Sequence, residues 1–130
     1  VSTQVRVNMD YASKLQLLHF LYGISSADGH INQSELSVLQ QISEGIGVSA
    51  KDSASIKSMF YTDYEAPYKI LEVEASASEE EIKTAYRKMA KKFHPDRVSH
   101  LGEEVQNAAK VKFQKVSEAY EKIKKERNFA

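Results

Sequence analysis

The chain has 130 residues, enough for one ordinary domain or two small ones, and each half would sit near the lower limit for a self-sufficient core. It has no cysteine, which excludes a disulfide framework, a zinc ribbon and a thiol nucleophile. Its longest nearly apolar stretch, Leu15 to Tyr22, falls far short of the roughly 20 residues that span a bilayer. The 18 basic and 18 acidic residues cancel, yet residues 1–66 hold four basic and seven acidic groups and residues 67–130 the rest, so the zero combines −3 with +3. Opposite signs in the two halves predict two modules with different surfaces. The sequence starts at Val1 without a signal-like segment, so a fragment or processed product is expected, with any upstream targeting or anchoring sequence out of view.

Val5, Val7 and Met9 alternate with Arg6 and Asn8, a strand-like pattern equally typical of a poorly ordered arm, and residues 1–9 are read as a leader. From Asp10, an N-cap candidate, Tyr11, Leu15, Leu18 and Tyr22 recur at helical spacing. Leu17, Phe20, Leu21 and Ile24 fill other faces, which predicts a central, buried helix. It stops between Ser25 and Gly29. Asn32 with Glu35 caps a second helix bearing Leu36, Leu39, Ile42 and Ile46, closed by Gly45 or Gly47 in left-handed geometry. Ser49 with Asp52 starts a third helix that ends in Ile56, Met59 and Phe60. Three short amphipathic helices over residues 10–60 make a small bundle, and residues 61–66 form a linker.

Pro67 is placed to open a short helix through Val73, with Tyr68, Leu71 and Ile70 inward. Ser78 and Glu81 form a capping box for the clearest helix in the chain, whose apolar positions are Ile82, Tyr86, Met89, Ala90 and Phe93. Pro95 ends it, because the residue before a proline is pushed out of helical geometry. A last helix of about 20 residues begins near Glu103, with Val105, Ala109, Phe113, Val116, Tyr120 and Ile123 on one stripe. These two long helices should pack antiparallel, which makes the whole fold all-α.

Away from the predicted core, the helix that starts at Ser78 carries Lys83, Arg87, Lys88, Lys91 and Lys92, the last four as one i, i+1, i+4, i+5 stripe. By itself this is an ordinary solvated face. Immediately beyond it stands His94-Pro95-Asp96-Arg97. Together with Ala66-Pro67-Tyr68-Lys69-Ile70-Leu71, the Ser78 helix and Lys112-Phe113-Gln114-Lys115-Val116-Ser117-Glu118-Ala119-Tyr120, the segment closely resembles the J-domain of DnaJ-type co-chaperones.

That resemblance implies a protein that docks its basic helix and His-Pro-Asp loop onto an ATP-bound DnaK-type chaperone and triggers hydrolysis. The implied partner-binding residues are His94, Pro95, Asp96, Arg97, Lys83, Tyr86, Arg87, Lys88, Lys91, Lys92 and Phe113. Asp96 engages the partner's charged switch, His94 orients the loop, and the lysines steer toward an acidic groove in a salt-sensitive way. Phe113 lies where family members can touch the partner, while Tyr86 is chiefly core. Three departures stand out. Glu72 occupies a position where the family usually has glycine, at a cost of about 1 kcal/mol if the backbone is left-handed. Val98 stands where asparagine is common, which is expected to weaken one partner contact. The usual short fourth helix is absent or merged into the third. The Gly/Phe-rich and cysteine-rich modules of larger co-chaperones are missing too.

In the first half, Tyr22-Gly23-Ile24-Ser25-Ser26-Ala27-Asp28-Gly29-His30-Ile31, then Glu35-Leu36 and Ile46-Gly47-Val48-Ser49, resembles the TerB-type helical domain that precedes the J-domain in membrane-anchored DjlA-like co-chaperones. Asp28-Gly29-His30-Ile31-Asn32 with Glu35 imitates the second half of a calcium loop. In that register Ile24 would take the first ligand position, and an isoleucine cannot ligate a hard cation. A tight Asp-Gly turn and a helix cap explain the same letters. His19 and His30 are read as packed or capping side chains, and no metal or cofactor is expected.

The expected function is that of a co-chaperone without enzymatic activity of its own, aiding protein folding or the stress response. The alternative is a scaffold whose degenerate J-domain only mediates assembly. The lysine stripe lacks interleaved exposed aromatics, so no nucleic-acid partner is expected. The first module's partner is unknown. Localisation is expected in the cytoplasm, with the family analogy placing an anchor upstream, at the cytoplasmic face of an inner membrane. The charge split further suggests that the acidic first module lies against the basic helix of the second and masks it.

Overall fold

The computed structural model describes residues 9–27, 33–61 and 63–129, and all the regular structure among them is helical. The leader through Asn8 and the calcium-loop imitation Asp28 to Asn32, with its expected cap, lie outside the described residues. Among the described residues six α-helices follow in order: α1 (Tyr11–Ser26), α2 (Gln33–Ile46), α3 (Ala50–Ser58), α4 (Ala66–Ile70), α5 (Glu79–Lys92) and α6 (Glu103–Arg127). A 3-10 segment (Pro95–Leu101) stands where the sequence suggested a plain loop.

The helix starts follow local chemistry. Asp10 accepts the Ser13 N–H at 2.8 Å, Ser49 accepts the Asp52 N–H at 3.1 Å, and Ser78 and Glu81 form the reciprocal capping box. Gly47, at φ 89°, supplies the left-handed turn after α2. α4 is shorter than expected and ends at Ile70, with Glu72 in the left-handed region at φ 58°. The last helix runs on to Arg127, and its guanidinium donates to the carbonyls of Ala77 (2.7 Å) and Ala75 (3.1 Å), pinning the turn that leads into α5.

One hydrophobic cluster runs through both halves, from Leu15, Leu18, Tyr22 and Ile56 to Leu71, Ile82, Met89, Phe93, Val116 and Ile123. α5 and α6 pack together, with Tyr86 and Tyr120 stacked at 4.3 Å between centroids. The α6 stripe is rotated from the expected one. Ala109, Lys112, Val116, Ala119 and Ile123 are buried, whereas Phe113, Tyr120 and Val105 are only half-covered. The expectation of a fully buried α1 also fails. Leu15, Leu18 and Tyr22 are buried, but Phe20 and Ile24 stand 57% and 58% exposed, because α2, α3 and the second module cover only part of its circumference.

The two modules meet along a polar seam. α3 packs on α4, where Ser55 Oγ donates to the Ile70 carbonyl at 2.7 Å, and α1 touches the 3-10 segment and α6. The Asp52 side chain, 2% exposed, takes a hydrogen bond from the Tyr11 hydroxyl of α1 and lies 2.9 Å from Lys92 Nζ of α5. Burial alone would raise the Asp52 pKa, but hydrogen bonds from Glu72, Tyr11 and Lys92 outweigh it and hold the carboxyl below its usual range. Glu72, 3.9 Å from the same ammonium, is pushed upward by burial and by the Asp52 carboxylate. Deeper in the seam, His19 packs on Phe60 with ring centroids 4.9 Å apart, its Nε2 buried without a partner. Burial, then Lys112 and Lys115, lower its pKa to about 4.

Glu72→Gly relieves a left-handed side chain worth about 1 kcal/mol but also deletes a hydrogen-bond donor to Asp52, so any gain in urea unfolding should stay below that value. A raised folded pKa means that stability present below the unfolded value is lost as the pH climbs through the folded one. Glu72→Gln should remove that decline, which falls between about pH 4.5 and about pH 8. For His19 the folded pKa is depressed, so the unfolded chain takes up a proton first. Stability should fall between about pH 6.5 and about pH 4, and His19→Leu should abolish that part of the fall.

Candidate functional site

The site grows from the C-terminal end of α5. That helix begins with Glu79, Glu80 and Glu81 and ends with Lys91 and Lys92, an arrangement that complements its dipole at both ends. Ile82 and Met89 are buried on one side, so Arg87, Lys88 and Lys91 face solvent on the other. Lys83 pairs with Glu79 at 3.1 Å and Arg87 lies 3.4 Å from the Thr84 hydroxyl, both within the helix. Lys88 and Lys91 make no ion pair among the described residues. Lys92 is different: it is committed to Asp52 in the seam. The expected masking by the acidic module is thereby confined to the last lysine of the stripe.

Beyond α5 the chain turns sharply. Phe93 is buried, with Lys112 Nζ 4.9 Å from its ring centre, and Lys112 is itself 3% exposed, its pKa lowered by burial to about 8. His94 caps the 3-10 segment: its Nδ1 accepts the Asp96 N–H at 3.2 Å, and its ring stands edge-on to Phe113 at 5.5 Å. An accepting Nδ1 places the proton of the neutral ring on Nε2. Pro95 is buried and fixes the backbone at the start of the segment. Arg97 Nε donates to the Lys91 carbonyl at 2.6 Å, which satisfies one of the open acceptors at the end of α5.

The outcome is an exposed carboxylate on a stiff turn. The Asp96 side chain is 78% exposed, 3.7 Å from His94 Nδ1, and its Oδ1 accepts from Gln106 Nε2 at 3.2 Å. Gln106 was not among the residues expected from the sequence, and its place in an exposed first turn of α6 gives no periodic signal. Val98 does not face a partner; it is 2% exposed and packs under the segment at a local kink. Of the expected set, the structure gathers His94, Pro95, Asp96, Arg97 and Phe113 at one corner and Arg87, Lys88 and Lys91 along one face. Tyr86 is held in the α5–α6 contact. No group of three or more acidic, histidine or cysteine side chains suited to a metal occurs among the described residues. No described helix is long and apolar enough to cross a membrane.

Comparison with known proteins agrees with this architecture. The family described as DnaJ domain matches residues 66–128, and the family described as Tellurite resistance protein TerB matches residues 1–58. The co-chaperone protein DjlA of Vibrio vulnificus (strain YJ016) is 30% identical over 163 aligned positions, covering 95% of this chain and 57% of that protein. The chaperone protein DnaJ of Wolinella succinogenes is 52% identical over 59 residues, 45% of this chain and 14% of that protein. DnaJ homolog subfamily C member 7 of Homo sapiens is 55% identical over 53 residues, 41% of this chain and 11% of that protein. The chain thus spans little more than half the length of the DjlA relative, and no solved structure matches it. With an exposed His-Pro-Asp turn at the end of a basic helix and both matches in place, the chain joins a TerB-type module to a DnaJ domain, and it is similar over nearly its whole length to DjlA co-chaperones.

Proposed function

We propose that the second module stimulates ATP hydrolysis by a DnaK-type chaperone and that the chain catalyses no reaction of its own. The observation that carries this reading is Asp96, an exposed carboxylate fixed by the His94 cap and Gln106 beside a basic face. A preorganised charge costs the complex little ordering entropy, and Arg87, Lys88 and Lys91 supply long-range attraction to an acidic partner surface. Proline and the Arg97 anchor hold the turn rigid while the partner is engaged. The same reading puts the chain in the cytoplasm, held at an inner membrane by a segment outside this sequence, with the first module binding a further protein.

Single-turnover ATP hydrolysis by the chaperone tests this directly. The wild-type chain should accelerate turnover and Asp96→Asn should return it to the basal rate. Equal stimulation by both would leave only an assembly role for the module. The lysines should separate into two classes. Lys88→Glu with Lys91→Glu should weaken association roughly tenfold or more, with the difference shrinking at high salt. Lys92→Ala should leave association near the wild-type value but cost about 2 kcal/mol of folding stability, since it strands the Asp52 carboxylate.

A further inference from the structure

Two exposed lysines from different modules share one cleft. Lys51, in the first turn of α3, and Lys88, on the outward face of α5, line a hollow of about 400 Å³ together with Glu72, Val73, Thr84 and Ala85. Neither lysine makes an ion pair among the described residues. A cation in the first turn of a helix opposes the helix dipole, so the stability of α3 gives no reason for Lys51. The neighbouring seam explains where it sits. Asp52 follows Lys51 in sequence and lies 2.9 Å from Lys92 Nζ, so the contact that joins α3 to α5 also sets Lys51 beside the basic stripe. The first module takes one lysine of the stripe into the seam and sets one of its own next to those that remain.

The acids of the cleft leave that charge standing. Glu80 and Glu81 lie eight and seven residues before Lys88, about 10 to 12 Å at α-helical rise, and Glu81 is engaged with Ser78 in the capping box. Burial and the Asp52 carboxylate keep Glu72 protonated below about pH 8, so it adds little negative charge at neutral pH.

We propose that the first module contributes directly to the chaperone-docking surface, with Lys51 joining Arg87, Lys88 and Lys91 against an acidic face of the ATP-bound DnaK-type chaperone. This deepens the reading of the second module as a stimulator of that chaperone, and it rests on that reading. The size of ordinary interfaces supports it. A standard interface covers about 800 Å² on each partner, a patch of about 16 Å radius. One that takes in Asp96 and the stripe reaches past Lys88 to the mouth of the cleft, where it meets Lys51. The charge that the seam withdraws with Lys92 is returned to the surface by Lys51, and only the docked arrangement of the modules presents it there.

The test is association of the full chain with the ATP-bound chaperone, followed by stopped-flow fluorescence at low and high salt. Lys51→Glu should slow association roughly threefold to tenfold at low salt, with the difference shrinking at high salt, and Lys51→Arg should keep the wild-type rate. Lys57→Glu makes the same charge change at an exposed position of α3 outside the cleft, and it should stay within about twofold of wild type. Lys51 is exposed, so Lys51→Glu should keep the wild-type melting curve. It should also reach the full stimulated ATPase rate at saturation, with only the half-saturating concentration raised. Equal association of wild type and Lys51→Glu, or equal slowing by Lys57→Glu, would overturn this inference and leave the stimulation reading intact. A loss of the maximal stimulated rate in Lys51→Glu would also overturn it, since that is the mark of a distorted His-Pro-Asp turn. A wild-type chain that neither binds nor stimulates the chaperone would overturn both.

Discussion

The arrangement of the two modules hangs on one carboxylate. Asp52 is almost completely buried, and an unpaired charge at such a depth would cost several kcal/mol. Its partners come from three directions: Tyr11 from the start of α1, Lys92 from the end of α5, and Glu72 from the turn after α4. Asp52 and Tyr11 belong to the first module and Lys92 and Glu72 to the second, so the electrostatic demand of Asp52 favours this docking geometry, which the shared hydrophobic cluster consolidates. Apolar contact supplies the adhesion. The buried charge supplies the register.

Glu72 shows what that register demands. It sits at a left-handed backbone position where a glycine would be unstrained, and it adds a second acid beside Asp52 with only Lys92 to share. Burial and the neighbouring negative charge both favour its protonated form, and in that form it can donate to Asp52 and help keep that group ionised. The strain and the raised pKa are therefore two aspects of one contact. Lys92, although it continues the stripe of Arg87, Lys88 and Lys91, spends its charge inside the molecule, and the outward face of α5 is narrower than its sequence suggests.

Features set by neighbouring residues were legible before the structure. The caps at Asp10, Ser49 and Ser78, the turn at Gly47 and the opening of α4 near Pro67 depend on a few adjacent residues, and each is where local chemistry puts it. The all-α class followed from 3.6-residue periodicity, and the His94-Pro95-Asp96 turn from its motif. What depended on docking was not legible. Helical periodicity marks Phe20 and Ile24 as apolar but cannot say that no neighbour covers them. It marks Lys112 as polar, yet its aliphatic stem is buried and its ammonium lies over Phe93. Leader and turn residues outside the described segments leave their readings where the sequence put them.

The first module also reaches the loop that carries Asp96. His100, at the far end of the 3-10 segment, lies 2.9 Å from Asp10 and 3.4 Å from the Ser13 hydroxyl, both at the start of α1. The segment is thus held by α5 through Arg97, by α6 through Gln106, and by the other module through His100. A 3-10 segment of seven residues with a non-helical kink at Val98 has weak internal hydrogen bonding, so its shape is imposed by such external attachments. The N-terminal residues of α1 accordingly do two things at once. Tyr11 secures the buried carboxylate that orients the modules, and Asp10 with Ser13 braces the segment from which Asp96 projects. In this fold the first module is part of the mechanical support of the His-Pro-Asp turn, through the contacts of Asp10 and Ser13 with His100.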